Sequence, residues 1–417
     1  MSDFSGKLQP QSWMVAPETQ KLMQALLENG GAARFVGGCV RNALVNRKVL
    51  DIDIATPLTP EQVIERLTRH KISYAPTGLK HGTVTAIVDG RPYEITTLRL
   101  DVITFGRHAE VKFTDDWKTD ASRRDFTINA IFATVDGDIF DPFGGVEDLR
   151  RGCVRFVGDP AKRIHEDVLR ILRFFRFYAH FGQGEPDKAG LKACAAAAKQ
   201  ITKLSAERIR QEIFKLLESG RCPEVWELML LSGVLTHCLP EATNLKTLEN
   251  LVRLETALEC PAFPLRRLAA ALDVTLKGVE NIARGLKLSN QHAAQLVRMV
   301  DPAAGVQLEE KAVKKLVYRL GNDMAHSLLL LAAARNGSAA DSLLPFYQIA
   351  SSFQPPRFPV SGEDVMALGY AAGPEVGMVL SVIEDWWLRE DFRPDRTACL
   401  NKLQTEFKAG SAKPTRA

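Results

Sequence analysis

The sequence predicts an α+β protein, a head of mixed strands and helices followed by an all-α remainder, and three observations support this. Between Arg34 and Thr56 a short apolar run enters a glycine pair, a helix-like segment follows, and a second apolar run closes the unit. Two further strand candidates come next, TVTAIV (83–88) and YEITTL (93–98). After Asp159-Pro160 the pattern changes, and to about Ala350 apolar residues recur at helical spacing with few β-branched runs.

At 417 residues the chain has material for two to four domains. An apolar content of 46% and a charged content of 25% are those of an ordinary globular protein and exclude fibrous or disordered classes. A formal charge of +4 is too small to imply a nucleic-acid partner by itself, so local clustering must carry that argument. The seven cysteines (39, 153, 194, 222, 238, 260, 399) are odd in number, scattered and without a CxxC. They read as reduced thiols of a cytoplasmic protein, not as a disulfide framework or zinc site. The opening MSDFSGKLQPQSW lacks a basic segment followed by an apolar one, so no signal peptide is expected. No run approaches the roughly 18 apolar residues of a membrane span.

In chain order, residues 16–30 read as a helix with Leu22, Ala25 and Leu26 on one face and Gly30-Gly31 closing it. In the strand–glycine–helix–strand unit, Gly37 and Gly38 lack Cβ atoms and let backbone N–H groups approach a phosphate, with Arg41 near the helix start. Asp51 and Asp53, two apart on a strand, present their carboxylates side by side. Such like charges repel unless a cation lies between them, and an oxygen-only pair suits Mg²⁺. A DxD alone is ordinarily a solvated strand edge; beside GG-x-x-R it reads as a metal-nucleotide site. Thr59-Pro60-Glu61 opens a helix to about His70. Asp89-Gly90 joins the two later strands in a hairpin whose loop Arg91-Pro92 lengthens. Glu94 is either a third carboxylate of the site or an exposed strand residue. From Leu100 to Asp120 the period is lost, and a long loop is expected. Arg123 to Ile131 is expected to be helical, with a further hairpin from IFATVD and DGDIFDPFGG. In the helical part Ser205 is a candidate N-cap for a stripe of Ile209, Ile213, Leu216 and Leu217. The Pro-rich FQPPRFPVSG (353–362) separates a last helical part, and KAGSAKPTRA reads as a disordered end.

The most informative stretch runs from His165 to Arg176, expected as one helix. Arg170, Arg173 and Arg176 follow Asp167 at steps of three, each turning back by about 60°, so the four form one slanting ridge. The ridge could be only a ladder of solvated ion pairs. Base chemistry offers a sharper reading. Cytosine and adenine each present an amino donor beside a ring-nitrogen acceptor, whereas uracil and guanine present a carbonyl beside an N–H. A carboxylate only accepts and a guanidinium only donates, so an Asp–Arg pair would take C and A and reject U and G. The other arginines could hold phosphates through bidentate contacts.

The ordered set VGGCVRN, DIDIA, SRRDFTINAI, EDVLRILRF and LSAERIRQEI resembles class II CCA-adding tRNA nucleotidyltransferases, a superfamily that also contains bacterial poly(A) polymerases. The resemblance covers roughly residues 30–220 and is looser beyond. It implies that Gly37, Gly38 and Arg41 hold the triphosphate and that Asp51 and Asp53 are the catalytic metal ligands. It further implies that Arg124, Asp125 and Asn129 contact triphosphate and ribose, although Asp125 and Asn129 could also serve as helix caps. Asp167 and Arg170 would template the base, supported by Arg173 and Arg176. The 100–120 segment matches the element associated with switching from CTP to ATP. Asn42 is a departure, for the family's pattern has Asp after the arginine. No His-Asp pair has the setting of an HD phosphohydrolase.

The expected architecture is a nucleotidyltransferase-fold head (1–158), a helical neck carrying the base-reading residues (159–225), a helical body (226–352) and a helical tail (353–417). The expected reaction is attack of a tRNA 3′-hydroxyl on the α-phosphate of CTP or ATP, with pyrophosphate released and two Mg²⁺ ions about 3.5–4 Å apart assisting. The tRNA would be gripped by shape and phosphates. No membrane and no obligate protein partner is called for. A poly(A) polymerase and a non-catalytic RNA-binding relative are the alternatives.

Overall fold

The computed structural model describes residues 5–76, 78–105, 108–301 and 306–407. The expected disordered end at 408–417 lies outside the described residues. Two compact units are present. One holds the residues through Thr243 together with Arg284–Lys287; the other holds Asn244–Ala283 and the residues from Leu288 onward.

Among its described residues the first unit contains ten strands: β1 (Gly6–Lys7), β2 (Arg34–Val36), β3 (Asp53–Thr56), β4 (Ser73–Ala75), β5 (Thr83–Val88), β6 (Arg91–Thr97), β7 (Arg99–Phe105), β8 (His108–Phe113), β9 (Phe132–Ala133) and β10 (Asp138–Phe140). Eight form a mixed sheet in the order β1-β10-β9-β2-β3-β6-β5-β4, and β7 and β8 form a separate pair. The β3–β6 pairing is parallel, and the other pairings in the sheet are antiparallel.

Strand alternation explains how this sheet is covered. Phe35 and Ile54 belong to a core with Leu22, Leu26, Val40 and Leu67, while their neighbours Val36 and Ala55 belong to another with Ala121, Ala130 and Phe132. Both faces are therefore buried at β2 and β3, whereas β5 and β6 alternate buried with more accessible residues, a pattern that specifies their register. The helices over the sheet start where the sequence marks them. After α1 (Ser12–Val15), α2 (Pro17–Leu27) carries Pro at its first turn. Following α3 (Gly38–Leu44), α4 (Pro60–Arg69) is opened by a capping box between Thr59 and Gln62.

Four local expectations need correction. The β5–β6 loop is two residues, not longer: Val88 pairs with Arg91 across Asp89 (φ 49°) and Gly90 (φ 80°), the left-handed pair of a tight hairpin. The supposed long loop is largely the β7–β8 hairpin, with a register shift between Asp101 and Ile103. Lying outside the main sheet, these strands need no strict apolar alternation, so the signal sought was missing. Arg123 to Ile131 is not one helix either. After α5 (Trp117–Ser122) the chain extends at Phe126, which bridges to Phe156, and makes only a short 3₁₀ turn at Thr127–Asn129. The Phe126 ring lies 4.8 Å from Phe156 and 5.3 Å from Phe177, contacts that a helix here would forfeit.

The fourth correction concerns the base-reading stretch. After α6 (Gly145–Arg150), the chain forms α7 (Pro160–Glu166) and α8 (Arg170–Phe181), broken at Asp167, whose φ of −149° and ψ of 108° are extended. The Asp167 carboxylate accepts from the Leu169 N–H at 3.1 Å, local competition that aspartate offers the helix backbone. Asp167 and Arg170 thus stand on either side of a helix break rather than on one rigid ridge. Beyond them come α9 (Lys188–Ala197), α10 (Ala206–Leu217), with Ser205 at the N-cap position but no cap hydrogen bond from its side chain, and α11 (Cys222–Leu231). The stripe of Ile209, Ile213, Leu216 and Leu217 is buried.

The second unit is helical, beginning with α12 (Leu245–Ala257) and α13 (Pro264–Ala271). Glu255 on α12 is 1% exposed and pairs with Arg266 at 2.6 Å and Arg267 at 2.7 Å on α13. From Phe353 to Ser361 there is neither helix nor strand, as the prolines predict. The residues beyond gather Val365, Ile383, Trp387, Cys399 and Leu403 into a core of their own.

Candidate active site

The parallel join of β3 and β6 sets the carboxylates. Asp53 is the register partner of Glu94. Asp51 lies just ahead of β3 rather than on it and is exposed; the intervening Ile52 is buried, so the alternation that spaces the acids still holds. Burial pushes the Asp53 carboxyl up to about 6, and the Glu94 and Asp51 charges add to that rise, against the pull of Arg124 and Arg41. A carboxylate raised by its acidic neighbours is one that a bound cation would relieve. Among the described residues no three His, Cys, Asp or Glu side chains form a metal cage. The donor set nonetheless fits Mg²⁺, which takes one or two protein carboxylates and completes its shell with water and phosphate.

Gly37 precedes α3 with φ 69° and ψ −119°, a conformation closed to residues with a side chain. Its N–H donates to the Ile131 carbonyl at 3.2 Å, which ties α3 to the end of the RRDFTINAI segment. Arg41 donates from Nε and Nη2 to Asn42 Oδ1 at 3.2 and 3.0 Å and from Nη1 to Asn129 Oδ1. Its guanidinium lies over the Phe181 ring at 4.4 Å and the Phe177 ring at 5.1 Å.

The next segment is built on a buried acid that the sequence reading did not single out. Asp120, 1% exposed, pairs with Arg123 at 2.8 Å and Arg124 at 2.9 Å and accepts from the Arg99 N–H. The Asp125 carboxylate accepts from Asn129 Nδ2 at 3.0 Å and Arg173 Nε at 2.6 Å. Burial alone would raise its pKa, but the Arg173 charge, the Asn129 hydrogen bond and Arg170 outweigh it and hold the carboxyl at about 2. Asp125 and Asn129 thus bond to each other and to arginines, rather than capping a helix.

Around the helix break, Asp167 pairs with Arg208 of α10 at 2.6 Å. Arg170 pairs with Glu166 at 2.5 Å and also donates to the Arg163 carbonyl. Arg173 reaches Asp125 at 2.5 Å and Glu212 at 4.0 Å. Arg176 is buried and pairs with Glu212 at 3.2 Å.

A cavity of about 430 Å³ brings these groups together. Gly37, Gly38, Arg41 and Asp53 line it beside Arg124, Asp125, Asn129, Asp167, Arg170 and Arg173. Asp51, Glu94 and Arg176 are not among its lining residues. Sequence reasoning missed three that are, Leu169, Phe177 and Arg208. Arg208 and Glu212 stand four apart in LSAERIRQEI, a shared helix face legible in the sequence, but the acid and the arginines they meet lie on preceding segments.

The family model described as "Poly A polymerase head domain" matches residues 33–155, and that described as "Probable RNA and SrmB- binding site of polymerase A" matches 185–246. The chain is 34% identical over 397 residues to the mitochondrial CCA tRNA nucleotidyltransferase 1 of Danio rerio, across 92% of this chain and 89% of the relative. It is 32% identical to the CCA-adding enzyme of Limosilactobacillus fermentum, across 87% and 90%. The crystal structure of the Bacillus stearothermophilus CCA-adding enzyme in complex with CTP superposes with a TM-score of 0.76 at 29% identity, covering 94% of this chain and 98% of that one.

Proposed function

The chain belongs to the CCA tRNA nucleotidyltransferase family, and from that premise we propose that it adds C, C and A to the 3′ end of tRNA from CTP and ATP, releasing pyrophosphate. The observation that carries the site assignment is one cavity in which Asp53 at the start of β3, an arginine set and an Asp–Arg pair at a helix break converge. Asp51 and Asp53 are the proposed metal ligands, with Glu94 beside them, and Mg²⁺ is the proposed ion. When bound it supplies Lewis-acid stabilisation of charge on the reacting phosphate and the attacking hydroxyl. Gly37, Gly38, Arg41 and Arg124 hold the triphosphate, and Asp125 and Asn129 fix the arginines and the ribose. Asp167 accepts from the base amino group and Arg170 donates to its ring acceptor. Arg173 holds Asp125 in place, and Arg176 supports Arg173 from the buried side through their shared partner Glu212.

The four-part division into head (1–158), neck (159–225), body (226–352) and tail (353–417) is kept as a functional proposal. So is a cytoplasmic setting, which rests on seven free thiols. Among the described residues no helix is long and apolar enough to cross a membrane. Incubating the protein with tRNA lacking its 3′ end and offering CTP and ATP separately tests the function. Two cytidines from CTP alone, then one adenosine, is the expected product; repeated adenosines without cytidine would make it a poly(A) polymerase, and no incorporation would leave an RNA-binding relative.

A further inference from the structure

We propose that Asn42 sets the charge of the triphosphate pocket, holding Arg41 with a neutral amide so that its positive charge stays available to the polyphosphate; this rests on the nucleotidyltransferase reading above. The contrast among the cavity arginines carries the argument. Arg124 is held by Asp120, Arg170 by Glu166, Arg173 by Asp125 and Arg208 by Asp167. Among the described residues Arg41 is the cavity arginine held by amide oxygens instead, those of Asn42 and Asn129. A guanidinium has five N–H donors. Three of Arg41's go to these amides, leaving one on each terminal nitrogen for an anion.

The two amides position the group without neutralising it. Asn42 accepts from Nε and Nη2 through one oxygen, while its own Nδ2 donates to the Lys48 carbonyl at 3.3 Å, so the residue is fixed at both ends. Phe177 and Phe181 add apolar faces that exclude water from the guanidinium. Burial pushes the Arg41 pKa down to about 10, and the neighbouring Arg176 and Arg173 charges lower it further against the pull of Asp125. An aspartate at this position, nearly the same size, would form a salt bridge with the same two nitrogens. A polyphosphate would then have to compete with that carboxylate for the charge. Asn42 is also where the sequence departs from the pattern of the family it resembles, which has Asp after the arginine.

The test compares Asn42→Asp and Asn42→Ala with the parent, by calorimetric binding of inorganic triphosphate and by steady-state CTP incorporation; far-UV circular dichroism confirms that the variants are folded. Asn42→Asp should weaken triphosphate binding about fivefold at low salt, as expected for one partly screened charge at contact distance. The deficit should shrink as salt rises, with KM for CTP rising in parallel and kcat little changed. Asn42→Ala, which loses the contacts but adds no charge, should weaken binding less and lower kcat more. Unchanged binding in Asn42→Asp, or equal weakening in both variants, overturns the proposal, as does a parent that binds no triphosphate. A parent that binds triphosphate but transfers neither C nor A would overturn the proposed activity instead.

Discussion

The carboxylate of Asp167 and the guanidinium of Arg208 lie 2.6 Å apart, joining the turn between α7 and α8 to the first turns of α10. One oxygen of Asp167 serves Arg208 and the other the Leu169 N–H, so the side chain is fixed before any base arrives.

Replacing Asp167 by Ala should therefore cost selectivity more than chemistry, because the metal ligands and phosphate contacts remain. A site built on polar partners can discriminate by roughly 10⁴-fold, and losing the acceptor forfeits much of that. Competition between CTP and UTP, read as the ratio of kcat/KM values, measures it. Arg208→Ala should narrow the same ratio by a smaller factor, since the acceptor remains but is no longer fixed. Unaltered selectivity in both variants would move base choice elsewhere.

Asp51→Ala and Asp53→Ala should each lower incorporation of both nucleotides by about 10³-fold or more, the scale of several kcal/mol of lost metal-assisted stabilisation. Binding of tRNA should be largely retained. Single-turnover rates at saturating Mg²⁺ decide the matter, and near-normal turnover in either variant would refute the metal assignment.

Asp125 makes stability depend on acid. Its folded pKa of about 2 lies below the ordinary 3.8, so the unfolded chain binds the extra proton. The contribution is thus fully present above about pH 4 and is lost as pH falls toward 2. Asp125→Asn should be less stable by about 2 kcal/mol at pH 7, and the gap should close below pH 4. Urea unfolding at pH 7, 4 and 2.5 tests this, and a gap independent of pH would assign the loss to packing.

In the second unit, Glu255→Ala would leave Arg266 and Arg267 buried without their shared carboxylate. Removing one partner of a buried ion pair costs about 3–5 kcal/mol. A lowered Tm is expected, and a melting curve like that of the parent would show that the two arginines find other partners.

Motifs with a local physical cause were legible in the sequence. The glycine pair, the Asp51–Asp53 spacing, the Thr59-Pro60 helix start and the apolar stripe from Ile209 to Leu217 depend on neighbours within a few positions. Much of what escaped depends on partners distant in the chain. Phe126 is extended because Phe156 and Phe177 receive its ring. Arg208 matters because Asp167, 41 positions earlier, turns out of its helix to meet it. Asp120 is three and four residues from Arg123 and Arg124, and only its burial separates it from an ordinary surface pair. The break at Asp167 is the instructive error. Spacing by threes is compatible with one helix, and nothing in the spacing reveals that an aspartate side chain will displace the backbone bond.

The register of β3 against β6 carries a consequence for the life of the chain in a cell. Tyr93 and Ile95 are buried on either side of Glu94. A slip of β6 by one residue would carry the Glu94 carboxylate into the core and Tyr93 out to water. Such a chain would not persist as a slow enzyme with misaligned acids. It would fail to fold and be cleared by proteolysis, so surviving copies bring Asp53 and Glu94 into line through the same apolar pattern that builds the head.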